Sequence, residues 1–388
     1  MFQNRALFLF QGYEDLKNFR IRTPLEPLTT LMDDPLRVMR AVRFASKYAF
    51  HVERNLWDTM QRQEVREALQ EKVSKERIGT EFSGMMLGPR PVAALRIIEE
   101  TGLLDIVLQP TRILPKEEAD QKTIQAAKGK ITNPFSEPYP DTSSFGLRDY
   151  LSRGMKIIEM LNKQWEGDNA NVLPSIHIEE EDALLSAKED EDRKLEYHHS
   201  VEVKRNIIHD EAESETKWEK EWTQSHMRDD HSSNMDGTRE TVQNLLLSAV
   251  TWPCRMLLAD DEVKRKHPIH FITAVIKCHL KWNMKIGSRI QAIQLCAERL
   301  LSVYRELADQ GFNLSHVNSN TRLLLGKAIR EAGPVWTSAL HVAAAVQSLQ
   351  EDNLLKVLTS FNVIPEAAKT WKVDKSWSFR PHLDVSGC

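Results

Sequence analysis

Hydrophobic positions recur every three to four residues along two long blocks of the chain, and this spacing predicts amphipathic helices. In the first block, between about residues 31 and 110, the predicted helices span 35–49, 53–62, 64–71, 75–87, 91–101 and 103–108. In the second block, from about residue 241, they span 241–258, 268–281, 287–310, 322–332, 335–350 and 353–361. The pattern therefore predicts a mainly α-helical protein.

The segment between the two blocks is polar. Residues 133–146 are rich in turn formers and predict a loop, and residues 179–240 are highly charged, which is typical of a solvated, partly disordered insert. A short strand is predicted at Ala6–Phe10, and an extended stretch around IRTPLEPL. We therefore expect four regions, at 1–30, 31–110, 111–240 and 241–388.

Composition narrows the classes of partner and compartment. The net charge of -4 does not indicate nucleic-acid binding. Binding of a nucleic acid would depend on local basic patches. The four cysteines are widely spaced and form no CxxC pair, which favours a reducing, intracellular compartment over a cysteine zinc site. No run of about 18 apolar residues occurs, so we expect no membrane span. The sequence does not distinguish cytoplasm, nucleus and mitochondrion.

One predicted helix carries an unusual row of charges. Residues 33–46 read DDPLRVMRAVRFAS, in which Asp34, Arg37, Arg40 and Arg43 are each three apart, with apolar or small residues between them. On a helix these positions form one slanting stripe, which spans roughly 13 Å. Three guanidiniums in a thin, partly desolvated stripe need an anion, either a ligand phosphate or a protein carboxylate. The spacing leaves open a structural alternative, in which Asp34 caps the helix and the arginines pair with local acids.

The same stretch resembles a motif of class II tRNA nucleotidyltransferases, the CCA-adding enzymes, and of the related bacterial poly(A) polymerases. The resemblance covers about residues 12 to 109, through YEDLKNFRIRTPLEPLTTLM, DDPLRVMRAVRFASKYAF and KVSKERIGTEFSGMMLGPRPVAALRIIEETGLLDIV. The later CHLKWNMK and GPVWTSAL resemble eukaryotic members of the family more weakly. The resemblance implies a remnant of the catalytic head at 1–30, a nucleotide-recognising neck at 31–110 and a tRNA-binding body and tail at 241–388. It also implies CTP and ATP as substrates, Mg²⁺ as the metal ion and the tRNA 3′ end as partner.

The resemblance assigns a role to each residue of the stripe. Asp34 and Arg37 would read the base edge, because a carboxylate accepts from the exocyclic amine of C or A and a guanidinium donates to N3 of C or N1 of A. U and G present the reverse pattern. Arg40 and Arg43 would be further contacts to ribose or phosphates. Asp33 stands where the family commonly has Glu, which is a mild departure.

A second motif of the family follows at Ser74, Lys75, Glu76 and Arg77. Ser74 is predicted to cap the next helix, and Glu76 and Arg77 to support the helix that carries the stripe.

The metal-binding carboxylates of the family are not found in the sequence. Nucleotidyl transfer needs acids that hold divalent ions, and the resemblance places them in a D-x-D pair after a Gly-Gly or Gly-Ser turn. The chain has no Gly-Gly, Gly287-Ser288 has no D-x-D at suitable spacing, and Asp190-Glu191-Asp192 lies in the acidic insert. We therefore expect no catalytic or metal-binding residue in this chain, a catalytic head that would precede Met1, and no activity of the chain alone. An incomplete gene model, a short isoform or a paralogue that lost catalysis would each explain this.

Three other groups of residues admit simpler explanations. One group follows the His…His-Asp order of HD phosphohydrolases, but its acidic surroundings favour no metal site: His198, His199, His209 and Asp210. The basic clusters of the second block fit either tRNA phosphates or a solvated face: Lys264, Arg265, Lys266, His267, Lys277, Lys281 and Lys285. Trp252, Trp282 and Trp336 lie among apolar residues and are predicted core positions.

Two functions other than CCA addition stay open. The chain could belong to an RNA-tailing enzyme that adds only A, which incorporation of C would exclude. It could instead be a non-catalytic RNA- or nucleotide-binding paralogue, which a longer reading frame encoding the head would exclude.

Overall fold

The computed structural model describes residues 12–115, 146–165, 239–260, 268–314, 317–351 and 353–373. Several predictions fall outside these ranges: the strand at Ala6–Phe10, the loop up to residue 145, all but the last two residues of the charged insert, and with it Asp190-Glu191-Asp192 and the histidines from His198 to His209.

The N-terminal block is a set of short helices with one pair of very short strands. Strand β1 pairs in parallel with β2, with Arg20 opposite His51. The elements are β1 (Arg20–Ile21), α1 (Pro27–Asp33), α2 (Leu36–Tyr48), β2 (His51–Val52), α3 (Arg54–Met60), α4 (Gln63–Lys72), α5 (Lys75–Met86), α6 (Pro91–Glu100) and α7 (Leu104–Val107).

The C-terminal part is built around two long helices, α11 and α13, which pack against each other. A π-helical segment (Val275–Leu280) lies between α10 and α11, and β3 pairs antiparallel with β4. The elements are α8 (Leu147–Gln164), α9 (Arg239–Val250), β3 (Leu258–Ala259), β4 (Ile269–His270), α10 (Phe271–Ala274), α11 (Met284–Asp309), α12 (Ser319–Ala332), α13 (Trp336–Glu351), α14 (Leu354–Phe361) and α15 (Val363–Thr370).

The prediction of a mainly α-helical protein is confirmed, although individual elements differ. The stretch expected to be extended around IRTPLEPL continues into α1, because Glu26 accepts a hydrogen bond from the Thr29 backbone (2.7 Å) and Pro27 suits the first helical turn. The helix predicted over 241–258 ends at Val250, where a short 3-10 turn with Pro253 leads into β3. The helix predicted over 268–281 is divided between α10 and the π-helical segment.

Helix α8 was not predicted, although it lies in the core. Its buried residues include Leu151, Met155, Ile158 and Leu161, and the helix packs against α9 and α13. These positions are three or four apart, so they form one apolar face. The division of the chain into four regions stays a prediction, and α8 falls within the third of them.

Helix α5 is held tightly against the C-terminal part. A Cβ at Gly79 would lie 2.2 Å from the backbone oxygen of Leu280, so no larger residue fits this crossing. Trp282 donates its indole N–H to the Gly79 carbonyl oxygen (3.0 Å) and stacks on Phe82 with ring centroids 5.7 Å apart. The C-terminal part therefore fixes the position of α5, which in turn packs on α2.

Two of the three tryptophans predicted as core residues, Trp252 and Trp336, are buried, and the third, Trp282, is half-buried at the α5 junction. One buried apolar cluster runs through both blocks. Within the ranges that the structure describes, no helix is both long enough and apolar enough to cross a membrane.

Candidate nucleotide-binding site

Helix α2 presents the predicted charges along the surface while its other faces are packed. Val38, Met39, Val42 and Ala45 are fully buried. Helix α2 ends after Tyr48, where Ala49 adopts a left-handed conformation with φ of 54°. The four residues Asp34, Arg37, Arg40 and Arg43 form what we call the arginine stripe.

Asp34 lies between α1 and α2 and is 30% exposed. Its Oδ1 accepts a long hydrogen bond from the Leu36 backbone N–H (3.3 Å) and lies 3.5 Å from Nη2 of Arg77. Both contacts use the same oxygen, so among the described residues Oδ2 keeps its full capacity to accept hydrogen bonds.

Arg37 is one helical turn further on, and its backbone N–H bonds to the Asp34 carbonyl oxygen (3.0 Å). Its Nη1 donates to the Thr30 carbonyl oxygen (2.9 Å), and its Nη2 lies 3.2 Å from Oδ2 of Asp33. Arg37 is 42% exposed and Asp33 72% exposed, so water screens this ion pair. The backbone contact orients the guanidinium and leaves further N–H donors for a ligand.

Arg43, at the other end of the stripe, is bound by the protein itself. Its Nε donates to Oε2 of Glu81 on α5 (2.6 Å), and the two side chains are only 25% and 14% exposed. The Arg43 guanidinium also lies 4.5 Å from the Phe44 ring centre. Glu81 therefore already matches the charge of Arg43.

Arg40 lies between these two ends and is exposed. Its guanidinium carbon is 5.8 Å from the Phe44 ring centre. Among the described residues it has no carboxylate partner.

Protein carboxylates supply part of the negative charge that the arginines of the stripe need, and a ligand phosphate is the other predicted source. Asp34 does accept from a backbone N–H at the start of α2, and protein acids do pair with Arg37 and Arg43. Of the two acid pairs, only that of Arg43 is largely shielded from water. The N-terminal end of the stripe is therefore the more exposed of its two ends.

Helix α5 supplies partners at both ends of the stripe. Ser74 caps α5 by accepting from the Arg77 backbone N–H (3.4 Å), as predicted. Arg77 reaches Asp34, and Glu81 reaches Arg43. The sequence reasoning did not identify Glu81, although its position one turn after Arg77 places both residues on one helix face.

The acids in and beside the stripe do not fit a divalent metal ion. Asp33, Asp34 and Glu81 are each paired with an arginine, whereas a Mg²⁺ site uses carboxylates as its own ligands. Among the residues that the structure describes, no group of three or more His, Cys, Asp or Glu side chains could hold a metal ion.

Comparison with known proteins finds similarity in the N-terminal block. Residues 49–112 match the protein family described as "Probable RNA and SrmB-binding site of polymerase A". Over 100 residues the chain is 40% identical to the mitochondrial CCA tRNA nucleotidyltransferase of Candida glabrata, covering 26% of this chain and 19% of that protein. The N-terminal part of the chain is thus similar to CCA tRNA nucleotidyltransferases and to this region of polymerase A.

Further relatives match a similar share of the chain. The mitochondrial CCA tRNA nucleotidyltransferase of Saccharomyces cerevisiae is 37% identical over 100 residues, which is 26% of this chain and 18% of that protein. The CCA-adding enzyme of Lactobacillus helveticus is 41% identical over 99 residues, 26% of this chain and 24% of that protein. The chain thus spans about a fifth of the length of these relatives.

The matched region includes both α5 residues that contact the stripe, Arg77 and Glu81. The stripe itself immediately precedes the matched region. Of the basic residues noted in the second block, Lys281 and Lys285 are exposed beside Trp282, next to α5, and Lys264 to Lys266 and His267 lie outside the described residues.

Proposed function

We propose that this chain is a nucleotide- and tRNA-binding part of an enzyme that adds CCA to tRNA 3′ ends, using CTP and ATP without a nucleic-acid template. The observation that carries the proposal is the pairing of Asp34 and Arg37. They are tied by a backbone hydrogen bond, and each keeps polar atoms that no described residue uses.

Asp34 and Arg37 together match the edge shared by C and A. Oδ2 of Asp34 accepts from the exocyclic amine, and an N–H of Arg37 donates to the adjacent ring nitrogen. U and G would place a carbonyl against the carboxylate and an N–H against the guanidinium. One such pair of contacts is worth about 1–3 kcal/mol of discrimination, and unpaired polar groups add to the penalty.

Arg77 acts in this proposal as a positioning residue. It contacts Oδ1 of Asp34 at 3.5 Å, on the side away from the oxygen assigned to the base. Its role is to keep the carboxylate in one orientation.

Arg40 and Arg43 are proposed to meet the ribose or phosphates of the nucleotide. Arg40 has no carboxylate to compete with a phosphate among the described residues, whereas Arg43 shares its charge with Glu81. We therefore assign the stronger phosphate contact to Arg40.

We place no catalytic step on the described residues of this chain. Mg²⁺ would supply activation of the attacking hydroxyl and neutralisation of the triphosphate in such an enzyme, but we do not propose Asp33, Asp34 or Glu81 as its ligands. We propose an intracellular location; two of the relatives are named as mitochondrial.

Nucleotide binding by the purified chain tests the proposal. We expect CTP and ATP to bind more tightly than UTP and GTP in calorimetric titrations, and Asp34→Ala to lose that preference by about 10-fold or more. Equal binding of all four nucleotides to the wild type would overturn the proposal. Binding of ATP without CTP would favour an enzyme that adds only A.

Incorporation of labelled CTP and ATP into a tRNA lacking its CCA end is the second measurement, made with Mg²⁺ present. Nucleotide selectivity without incorporation is the result that we expect. Incorporation that disappears in Arg37→Ala would support the family function and would contradict our view that this chain has no metal-binding acids.

A further inference from the structure

The C-terminal end of α2 carries aromatic side chains at the surface. Tyr48 is 41% exposed. Its ring stacks on Phe44 with centroids 6.2 Å apart and planes at 26°, and contacts Phe50 at 5.8 Å. We call Phe44, Tyr48 and Phe50 the aromatic patch. A stacked, partly exposed pair of rings offers a flat surface to a further ring.

The aromatic patch continues the arginine stripe along the same helix. Arg37, Arg40, Phe44 and Tyr48 are three, four and four residues apart, which places them on one side of α2. At the rise of an α-helix, Arg37 and Tyr48 are roughly 16 Å apart along the axis. The proposed base-reading end and the aromatic patch are therefore two ends of one surface.

Two cations lie against the rings of the patch. The Arg40 guanidinium is 5.8 Å from the Phe44 ring centre, and Nζ of Lys47 is 5.0 Å from the Tyr48 ring centre. Neither side chain pairs with a carboxylate among the described residues. The surface thus combines partly exposed aromatic rings with positive charge, which complements a partner that carries flat bases and phosphates.

We infer that the aromatic patch, with Lys47, binds single-stranded RNA. One base stacks on Tyr48, and a neighbouring phosphate contacts Lys47. This inference rests on the proposed function for the identity of the substrate. It extends the site from the incoming nucleotide to the RNA strand that receives it.

Binding of a fluorescently labelled, unstructured single-stranded RNA to the full chain tests the inference. We expect Tyr48→Ala to weaken binding by at least about fivefold, and Tyr48→Phe to bind like the wild type because it keeps the ring. Lys47→Gln leaves the rings intact and should lower the affinity and flatten its dependence on salt.

The chain provides a matched control at Tyr13, which is 57% exposed and has Nζ of Lys17 at 5.0 Å from its ring centre. This pair repeats the Lys47–Tyr48 arrangement on a segment other than α2. Tyr13→Ala should leave RNA binding unchanged. A thermal unfolding scan of each variant shows that the fold is retained.

Binding of polyphosphate, a polyanion without bases, distinguishes the contribution of base stacking from that of charge. We expect Tyr48→Ala to bind polyphosphate as the wild type does, while Lys47→Gln binds it more weakly. Wild-type RNA affinity in Tyr48→Ala, or equal losses in Tyr48→Ala and Tyr13→Ala, would overturn the inference. Because CTP selectivity depends on Asp34 and Arg37, that outcome would leave the proposed function standing if the selectivity is observed.

Discussion

The two ends of the arginine stripe use the same residue type at the same helical spacing but in different ways. At the N-terminal end, Arg37 is held by the Thr30 carbonyl and by the exposed acid Asp33. At the C-terminal end, Arg43 is bound by Glu81, which is largely shielded from water. Exposure and the identity of the acid thus separate a side chain open to ligands from one that mainly joins two helices.

Helix α5 produces this difference. It crosses α2 so that Glu81 reaches Arg43 directly, whereas Arg77 reaches Asp34 rather than Arg37. An acid on α5 therefore neutralises one end of the stripe, and a second cation is added at the other end. The two cations at the N-terminal end, Arg37 and Arg77, thus balance its two acids, Asp33 and Asp34.

The largest effect is expected from moving α5 itself. Gly79→Ala would place a Cβ against the Leu280 backbone oxygen, which cannot move aside easily. We expect a loss of about 3 kcal/mol in the free energy of unfolding, at the upper end of the range for overpacking. Chemical denaturation measures it, and CTP binding should weaken as well because both ends of the stripe depend on α5.

Gly84→Ala is the control for this substitution. The atoms nearest to its added Cβ belong to the Arg43 side chain, at 2.9 Å for Cδ, and not to the backbone. The gain in helix propensity offsets the adjustment, so we expect a change of less than about 1 kcal/mol. Equal destabilisation by the two substitutions would contradict the importance of the Gly79–Leu280 crossing.

Removing the acid at each end of the stripe should lower the free energy of unfolding by different amounts. Glu81→Gln leaves a partly buried guanidinium without its charge partner, and we expect a loss of about 1–3 kcal/mol in the free energy of unfolding. Asp33→Asn removes an exposed pair, with an expected loss of about 0–1 kcal/mol. A larger loss for Asp33→Asn in denaturant titrations would reverse our assignment of the ends.

Arg77→Ala should have a smaller effect, on selectivity more than on stability. The contact of Arg77 with Asp34 is long and exposed, so it contributes less than about 1 kcal/mol. We expect the preference for CTP over UTP to fall less than about fivefold, with the melting temperature almost unchanged. A complete loss of preference would mean that Arg77 contacts the base itself.

The smallest expected effect is on the stability of the fold at low pH, and it involves a residue outside the stripe. Burial lowers the pKa of His270, in β4, below its usual value of 6.5. The neutral form is favoured in the fold, so this stability is complete above about pH 6.5 and is lost as the pH falls toward the lowered pKa. His270→Asn should flatten the pH dependence of the melting temperature in this window. An unchanged slope would assign the acid lability to other groups.

The sequence predicted more of the fold than of the partners within the site. Apolar periodicity located α2, α5 and most other helices, because each buries one face. It missed α8, which follows a loop-like segment, although the apolar residues of α8 have the same three-to-four-residue spacing. The charge spacing predicted the stripe, but Glu81 is 38 residues from Arg43, and such a pairing depends on how α5 crosses α2.

The most direct test compares selectivity in Arg37→Ala and Arg43→Ala, measured as the ratio of CTP to UTP affinity for each purified variant. If the N-terminal end reads the base, Arg37→Ala loses most of the preference. Arg43→Ala then binds both nucleotides equally well or equally less well than the wild type, and it keeps the ratio. Loss of the ratio in Arg43→Ala, or its retention in Arg37→Ala, would contradict the division of the stripe into a base-reading end and a structural end.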